Sequence, residues 1–298
     1  MLTGQYRPLG RNEMANMSKA VLITGCSSGI GRATAEHLAG KGWTVYATAR
    51  RPESIADLEE KGCRTLALDV TDEASMAAAV GAVEEAEGAV GVLVNNAGYS
   101  QSGAVEDVPL DVVRRQFETN VFGLVRMCQL ALPGMRRQGW GKIVNVSSMG
   151  GRLVFPGGGF YHGTKYAVEA ISDALRFEVA GFGVDVAIIE PGLIRTSFGD
   201  TAAHGVGEAT STDGPYAEFN AAVAKSTQEV YEGGGLAKLG GGPETVARAI
   251  EKAISRRRPK TRYKVTPSAR MALATRRLLP DRGWDAFLRA QFPSPGKG

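Results

Sequence analysis

Six short apolar runs alternate with helix-length segments along most of this chain. The runs lie at residues 20–24, 44–48, 65–68, 90–94, 142–146 and 184–189, and they are rich in valine and isoleucine. Their apolar residues are nearly continuous rather than alternating with polar ones. Strands of that kind are buried on both faces, which is the situation of a parallel sheet covered by helices. Segments 33–39, 73–86, 112–137 and 161–180 are long enough to be the crossovers. Right-handed crossovers wind such a chain into one doubly wound α/β sheet, and a weaker run at 262–265 offers a seventh strand. In such sheets ligands bind outside the carboxyl ends of the strands. A glycine turn at 24–31, then Asp69, Asn95, Ser148 and Pro191-Gly192, each follow a predicted strand. They should therefore converge on one edge.

Composition removes several classes of function. With 43% hydrophobic residues in 298, one large domain can bury its core. The net charge of +4 is too small to require a nucleic-acid partner. Cys26, Cys63 and Cys128 are widely spaced and form no metal-ligand or disulfide pattern, which suits a reducing, cytoplasmic compartment. No apolar run approaches the roughly 18 residues of a membrane span. Residues 1–18 are polar and read as a flexible lead-in, with Met14 and Met17 as alternative starts. The densest basic stretch, 256–260, reads as a solvated helix end in preference to a membrane contact.

The turn Thr24-Gly25-Cys26-Ser27-Ser28-Gly29-Ile30-Gly31 joins the first strand to the first helix. Gly25 permits a tight turn, Gly29 lets backbone approach a pyrophosphate, and Gly31 lets the helix pack on the strand. The helix start then offers unpaired N–H groups and the positive end of its dipole to phosphate. Ser27, Ser28 and Ile30 complete this cofactor turn. Dinucleotide sites that take NAD place an acid near the end of the second strand, for the ribose 2′-hydroxyl. Here Arg50 and Arg51 occupy that place. A guanidinium suits a 2′-phosphate, so NADP(H) is the preferred cofactor and NAD(H) a possible one.

Tyr161 and Lys165 stand one helical turn apart. A free phenol ionises at about pH 10, and a neighbouring ammonium favours its phenolate. With a nicotinamide moving hydride, Tyr161 can be the general acid in reduction and the base in oxidation, while Ser148 donates a hydrogen bond to the substrate oxygen. His162 adjoins Tyr161 but points off its face, as wall or surface. Cys26 reads as a small filler rather than a nucleophile.

This ordered set resembles the short-chain dehydrogenase/reductase family. The matching pieces are Thr24-Gly25-x-x-x-Gly29-x-Gly31, Asp69-Val70, Asn95-Asn96-Ala97-Gly98, Asn120, Ser147-Ser148, Tyr161-x-x-x-Lys165 and Pro191-Gly192, over about residues 19–198. The glycine turn and residues 45–50 look most like hydroxysteroid and retinol dehydrogenase-type members. The resemblance implies a single Rossmann domain over 19–298 with a mostly parallel seven-stranded sheet and a helical C-terminal substrate lid. It also implies roles. Asp69 and Val70 flank the adenine; Asn95, Asn96, Ala97 and Gly98 shape the ribose and nicotinamide floor; Pro191, Gly192, Ile194 and Thr196 border the carboxamide. Ser148, thirteen residues before Tyr161, carries the catalytic hydroxyl rather than Ser147. Asn120 supports a water-linked proton path to Lys165. Members pair through two long helices, so a homodimer or homotetramer is expected.

Substrate selection falls to residues 149–160 and to the region after Thr196. Phe155 and Phe198 are the expected contacts, with a lid at about 197–242. They suggest an apolar alcohol or carbonyl compound such as a steroid or retinoid. The tail at about 268–292, with Leu278, Trp284, Phe287 and many arginines, can pack on the body, on a partner subunit or on a membrane. Two other functions share parts of the pattern. A silent dinucleotide-binding interaction protein would not need the Tyr161–Lys165 pair. An epimerase or dehydratase usually has shorter glycine spacing and a larger second half.

Overall fold

The computed structural model describes residues 17–196, 214–232 and 239–295. Most of the expected flexible lead-in, Phe198 and much of the expected lid lie outside the described residues. The chain forms a single Rossmann-like α/β domain around a seven-stranded, all-parallel sheet in the order β3-β2-β1-β4-β5-β6-β7. The strands are β1 (Val21–Ile23), β2 (Val45–Ala49), β3 (Arg64–Ala67), β4 (Val92–Asn95), β5 (Gly141–Val146), β6 (Val184–Glu190) and β7 (Arg262–Lys264). All seven coincide with runs legible in the sequence, the weak seventh included.

Burial on both faces explains that legibility for the inner strands, while the edge strands β3 and β7 are partly exposed. Val21 and Ile23 of β1 point into one core layer, and Leu22 into the other. Helices α1 (Gly29–Ala39) and α7 (Pro243–Ser255) cover the first layer. Helices α2 (Glu73–Glu87), α4 (Gly123–Gln138) and α5 (Gly159–Val179) cover the second. The remaining described helices are α3 (Leu110–Phe117), α6 (Ala217–Glu232), α8 (Pro267–Leu278) and α9 (Asp281–Arg289).

The expected long helix at 112–137 is not continuous α-helix. Between α3 and α4 lies a π-helical turn, Glu118–Phe122, containing Asn120. An extra residue per turn shifts the helix face and loosens the backbone ladder there, a feature that recurs at functional sites. The basic stretch after Ser255 is an exposed connection from α7 to β7. It lies at the amino edge of the sheet, where Lys142 Nζ donates to the Arg256 carbonyl at 3.0 Å. It is thus remote from the carboxyl edge that holds the unusual residues.

Strand order reverses between β1 and β4, and the glycine turn sits at that switch. Gly25 and Gly29 have φ of +74° and +56°, which only glycine adopts without strain. A Cβ at Gly31 would lie 2.2 Å from the Gly25 carbonyl oxygen and 2.5 Å from Asn96 Nδ2. At Gly81, inside α2, a Cβ would meet nothing within 4 Å. Gly81→Ala should therefore stabilise the protein by about 0.5–1 kcal/mol, because alanine is the better helix former. Gly31→Ala should destabilise it by about 1–3 kcal/mol through overpacking. Urea unfolding of both variants checks the contrast, and equal effects would contradict the packing argument.

Candidate active site

A cleft of about 730 Å³ opens along the carboxyl edge beside β1 and β4. Of the expected cofactor residues, Gly25, Ser27, Ser28, Gly29, Ile30, Arg50, Asp69, Val70, Ala97, Gly98, Pro191, Gly192, Ile194 and Thr196 line it. Ser148, Tyr161 and Lys165 line the same cleft. The first turn of α1 holds no acidic side chain, so nothing there opposes an anion at the helix start.

Asn96, expected only as part of the cleft floor, builds the glycine turn. Its Nδ2 donates to the Thr24 and Gly25 carbonyls, both at 3.0 Å. Thr24 Oγ1 in return accepts from the backbone N–H groups of Asn96 and Ala97, each at 3.0 Å. This exchange ties the loop after β4 to the loop after β1, and so closes the cleft floor.

Five expected residues stand elsewhere, Asn120 among them. Gly31 is packed beneath the turn. Arg51 is exposed and precedes the 3-10 turn Pro52–Leu58, away from the lining. Asn95 is buried behind the cleft, where its amide donates to Asn145 Oδ1 at 2.9 Å and to Cys128 Sγ. Phe155 does not line the cleft. It packs on Trp284 and His162, with ring centroids 6.0 and 6.1 Å away, and joins the apolar cluster of α8 and α9. The apolar character that suggested substrate contact is satisfied by the C-terminal helices instead. At the cleft mouth, Tyr99, Arg115, Glu118 and Thr119 are lining residues that carried no motif in the sequence.

Asn120 also stands off the lining. Its Oδ1 accepts from the Tyr99 N–H at 3.0 Å, and its Nδ2 donates to the Tyr99 carbonyl at 2.8 Å and to Thr164 Oγ1 at 3.1 Å. The side chain is fully buried and engaged at both ends. It latches the loop after β4 to α5, one residue from Lys165.

Ser148 and Ser147 are separated by burial. Ser147 also lines the cleft but is buried, with its hydroxyl packed against Gly151, 2.7 Å from where a Cβ there would stand. Ser148 is half-buried, and its Oγ accepts from the Gly150 N–H at 3.0 Å. Because that bond uses a lone pair, the hydroxyl proton remains available for donation. His162 is buried rather than a surface residue. One ring nitrogen meets the Gly150 carbonyl at 2.9 Å, and the other accepts from the Phe155 N–H. It pins the 149–158 loop to α5, and burial holds its pKa below the usual histidine value.

Lys165 is buried and donates to the Val146 carbonyl at 2.9 Å, with Nζ 5.8 Å from the centre of the Tyr161 ring. Burial pulls its pKa down to about 8, against the attraction of Glu169 one turn on. Glu169 and the fully buried Glu190 share Arg262, at 2.8 and 3.4 Å. Desolvation, then the nearby Glu169, pushes the Glu190 carboxyl above its ordinary value. Cys26 is fully buried, and that desolvation pushes its thiol up to about 12, which suits the filler role expected of it.

Fold and cleft define a nucleotide-binding oxidoreductase of the Rossmann class. The short chain dehydrogenase family model matches residues 19–206, and the chain belongs to that family. A 3-ketodihydrosphingosine reductase of Bacteroides thetaiotaomicron is 38% identical over 272 residues, covering 90% of this chain and 96% of that one. An NADPH-dependent 3-dehydrocapnine reductase of Ornithobacterium rhinotracheale is 38% identical over 273 residues, covering 89% and 94%. A serine dehydrogenase complexed with NADP+ superposes with a TM-score of 0.72 at 26% identity, over 83% of this chain and 94% of that one. A Burkholderia phymatum short chain dehydrogenase/reductase in complex with NAD gives 0.74 at 27%, over 95% and 98%.

The buried ammonium has a consequence for stability. A lysine whose folded pKa falls from 10.5 to about 8 costs stability in full below pH 8. The cost shrinks as pH rises towards 10.5 and is absent above it. Lys165→Met should therefore raise stability at pH 7 by about 1–3 kcal/mol, with the gain disappearing near pH 10.5. Urea unfolding at the two pH values measures this, and a variant weakened at pH 7 would contradict it.

Proposed function

We propose that this protein is an NADP(H)-dependent oxidoreductase that interconverts an alcohol and a carbonyl on an apolar substrate. The observation that carries the reading is the buried Lys165 ammonium beside the Tyr161 ring, at the end of a cleft that begins at the glycine turn. The cleft fits a dinucleotide. Two positive-φ glycines and an acid-free helix start at the cleft support a pyrophosphate there, and Arg50, which lines the same cleft, supports a 2′-phosphate. Asp69, whose carboxylate is already oriented by the Thr71 N–H and hydroxyl, borders the adenine end with Val70. Ala97, Gly98, Pro191, Gly192, Ile194 and Thr196 border the nicotinamide end.

The nicotinamide supplies or takes the hydride when bound. The chain's own residues handle the proton. In reduction Tyr161 donates it to the substrate oxygen, and in oxidation takes it back. Ser148 holds that oxygen with the hydroxyl proton left over from its Gly150 bond. Lys165 uses one N–H on Val146, which leaves two for the phenol and for ribose hydroxyls. Its positive charge favours the phenolate. Asn120 acts through its neighbours, by fixing Tyr99, Thr164 and hence the Lys165 segment.

For the substrate, the names of the two reductase relatives favour a 3-keto group on a long apolar chain over a steroid or retinoid. A lid over such a chain, expected at 197–242, would be built on α6, the described helix of that region. That helix is tied to the 104–107 segment through Asn220. Phe122 and Phe177, exposed on the two long helical segments, are the proposed contacts of a homodimer or homotetramer, which a solution mass tests.

Tyr161→Phe should leave NADPH binding unchanged and lower turnover by about 10²–10⁴-fold, the usual worth of general acid–base help. Near-normal NADPH consumption with a carbonyl panel would overturn the role. Arg50→Asp should weaken NADPH about 10-fold or more and NADH little, because it removes a charge-assisted contact to a phosphate that only NADPH carries. Equal losses measured by fluorescence titration would contradict the cofactor assignment.

A further inference from the structure

The α8–α9 hairpin uses only its inner face in the fold. Leu273 and Trp284 are buried against Leu153 and Met149, and Trp284 Nε1 donates to the Val154 carbonyl. The amino end of α8 closes on Gly192, which lines the cleft: a Cβ there would lie 2.4 Å from both Ser268 Oγ and Thr266 Oγ1. The outer face of α8 touches nothing among the described residues that would explain its composition. Arg270, Met271, Ala274, Arg277 and Leu278 recur at helical spacing, and all are exposed. Leu278 is 82% exposed and Met271 48%. On α9, Phe287 is 42% exposed.

Charge separates the possible occupants of this face. The hairpin, residues 267–289, holds five arginines and two aspartates, and Arg276 engages one of those, Asp281. Arg270, Arg277, Arg282 and Arg289 have no acidic partner among the described residues. A second copy docking by two-fold symmetry would set the same patch against itself, with arginine facing arginine. An interfacial helix shows the opposite logic: large apolar side chains project outward between cations, and the surface they meet is anionic and apolar together.

We propose that the outer face of the α8–α9 hairpin docks on the surface of an anionic lipid bilayer. Leu278, Met271 and Phe287 enter the headgroup boundary, and Arg270 and Arg277 meet lipid phosphates. The amino end of α8 packs on Gly192 of the cleft lining, so docking holds that side of the cleft near the membrane. Delivery of an apolar substrate from the bilayer rests on the apolar-substrate reading above; the binding itself does not.

The test is co-sedimentation of the full chain with vesicles of phosphatidylcholine, alone or mixed with phosphatidylglycerol, without cofactor or substrate. Binding should appear with the mixed vesicles and weaken with salt. Leu278→Ser combined with Arg277→Ser should lower it roughly 10-fold or more. Consumption of NADPH with a short water-soluble carbonyl compound should be unchanged in that variant, which reports that the fold is intact. No binding to the mixed vesicles at low salt would overturn the proposal. So would a variant that binds them normally, or one that alters only the mass of the protein in solution, since the face would then belong to a second copy.

Discussion

An ammonium buried at the carboxyl edge of the sheet is the constraint that organises the rest. Lys165 reaches that position because α5 packs its face on β5 and β6, and it is held there by the carbonyl that ends β5. Burying a cation is unfavourable, and the fold tolerates it with one charge-assisted bond and the nearby Glu169. In exchange, the charge lies beside the Tyr161 ring in a site shielded from bulk water. The same low-polarity surroundings that depress the lysine's pKa strengthen its hold on a neighbouring phenolate.

Around this point the site is rigid in its frame and built from backbone. Asn96 fastens the glycine turn, Asn120 fastens the loop after β4, and His162 fastens the loop after β5. Each of these side chains spends hydrogen bonds on main-chain atoms, and Asn120 adds one to Thr164 Oγ1. Together they hold three separate loops at fixed positions along one strand edge. Preorganisation of this kind is what an electrostatic site requires, because its donors do not have to reorient when charge develops.

The inner strands were legible because they are buried on both faces, which writes a continuous apolar run into the sequence, whereas the edge strands β3 and β7 are more exposed and left weaker runs. The glycine turn and the Tyr161–Lys165 pair were legible because their spacing is local: a turn and one helical repeat. Other parts were not. The π turn at 118–122 does not disturb the apolar periodicity enough to be seen, so the segment read as one helix. Asn96 and His162 act on backbone atoms brought near by the fold, and side-chain type alone does not name such partners. Asn95 looked like a cleft residue because it ends a strand, yet strand alternation turns it inward to Asn145 and Cys128. Phe155 looked like a substrate contact because the helices it packs on lie more than a hundred residues away in sequence.

A crystal structure with bound NADP+ tests the central claim most directly, because it measures the relation between Tyr161 and the cofactor. The account predicts the nicotinamide C4 facing the side of the cleft formed by Ser148 and Tyr161, with the phenol oxygen within about 4–5 Å of it, close enough for hydride and proton to move on one substrate. The 2′-phosphate should lie on Arg50. A nicotinamide at the far end of the cleft, or a Tyr161 ring turned out to solvent in that complex, would contradict it.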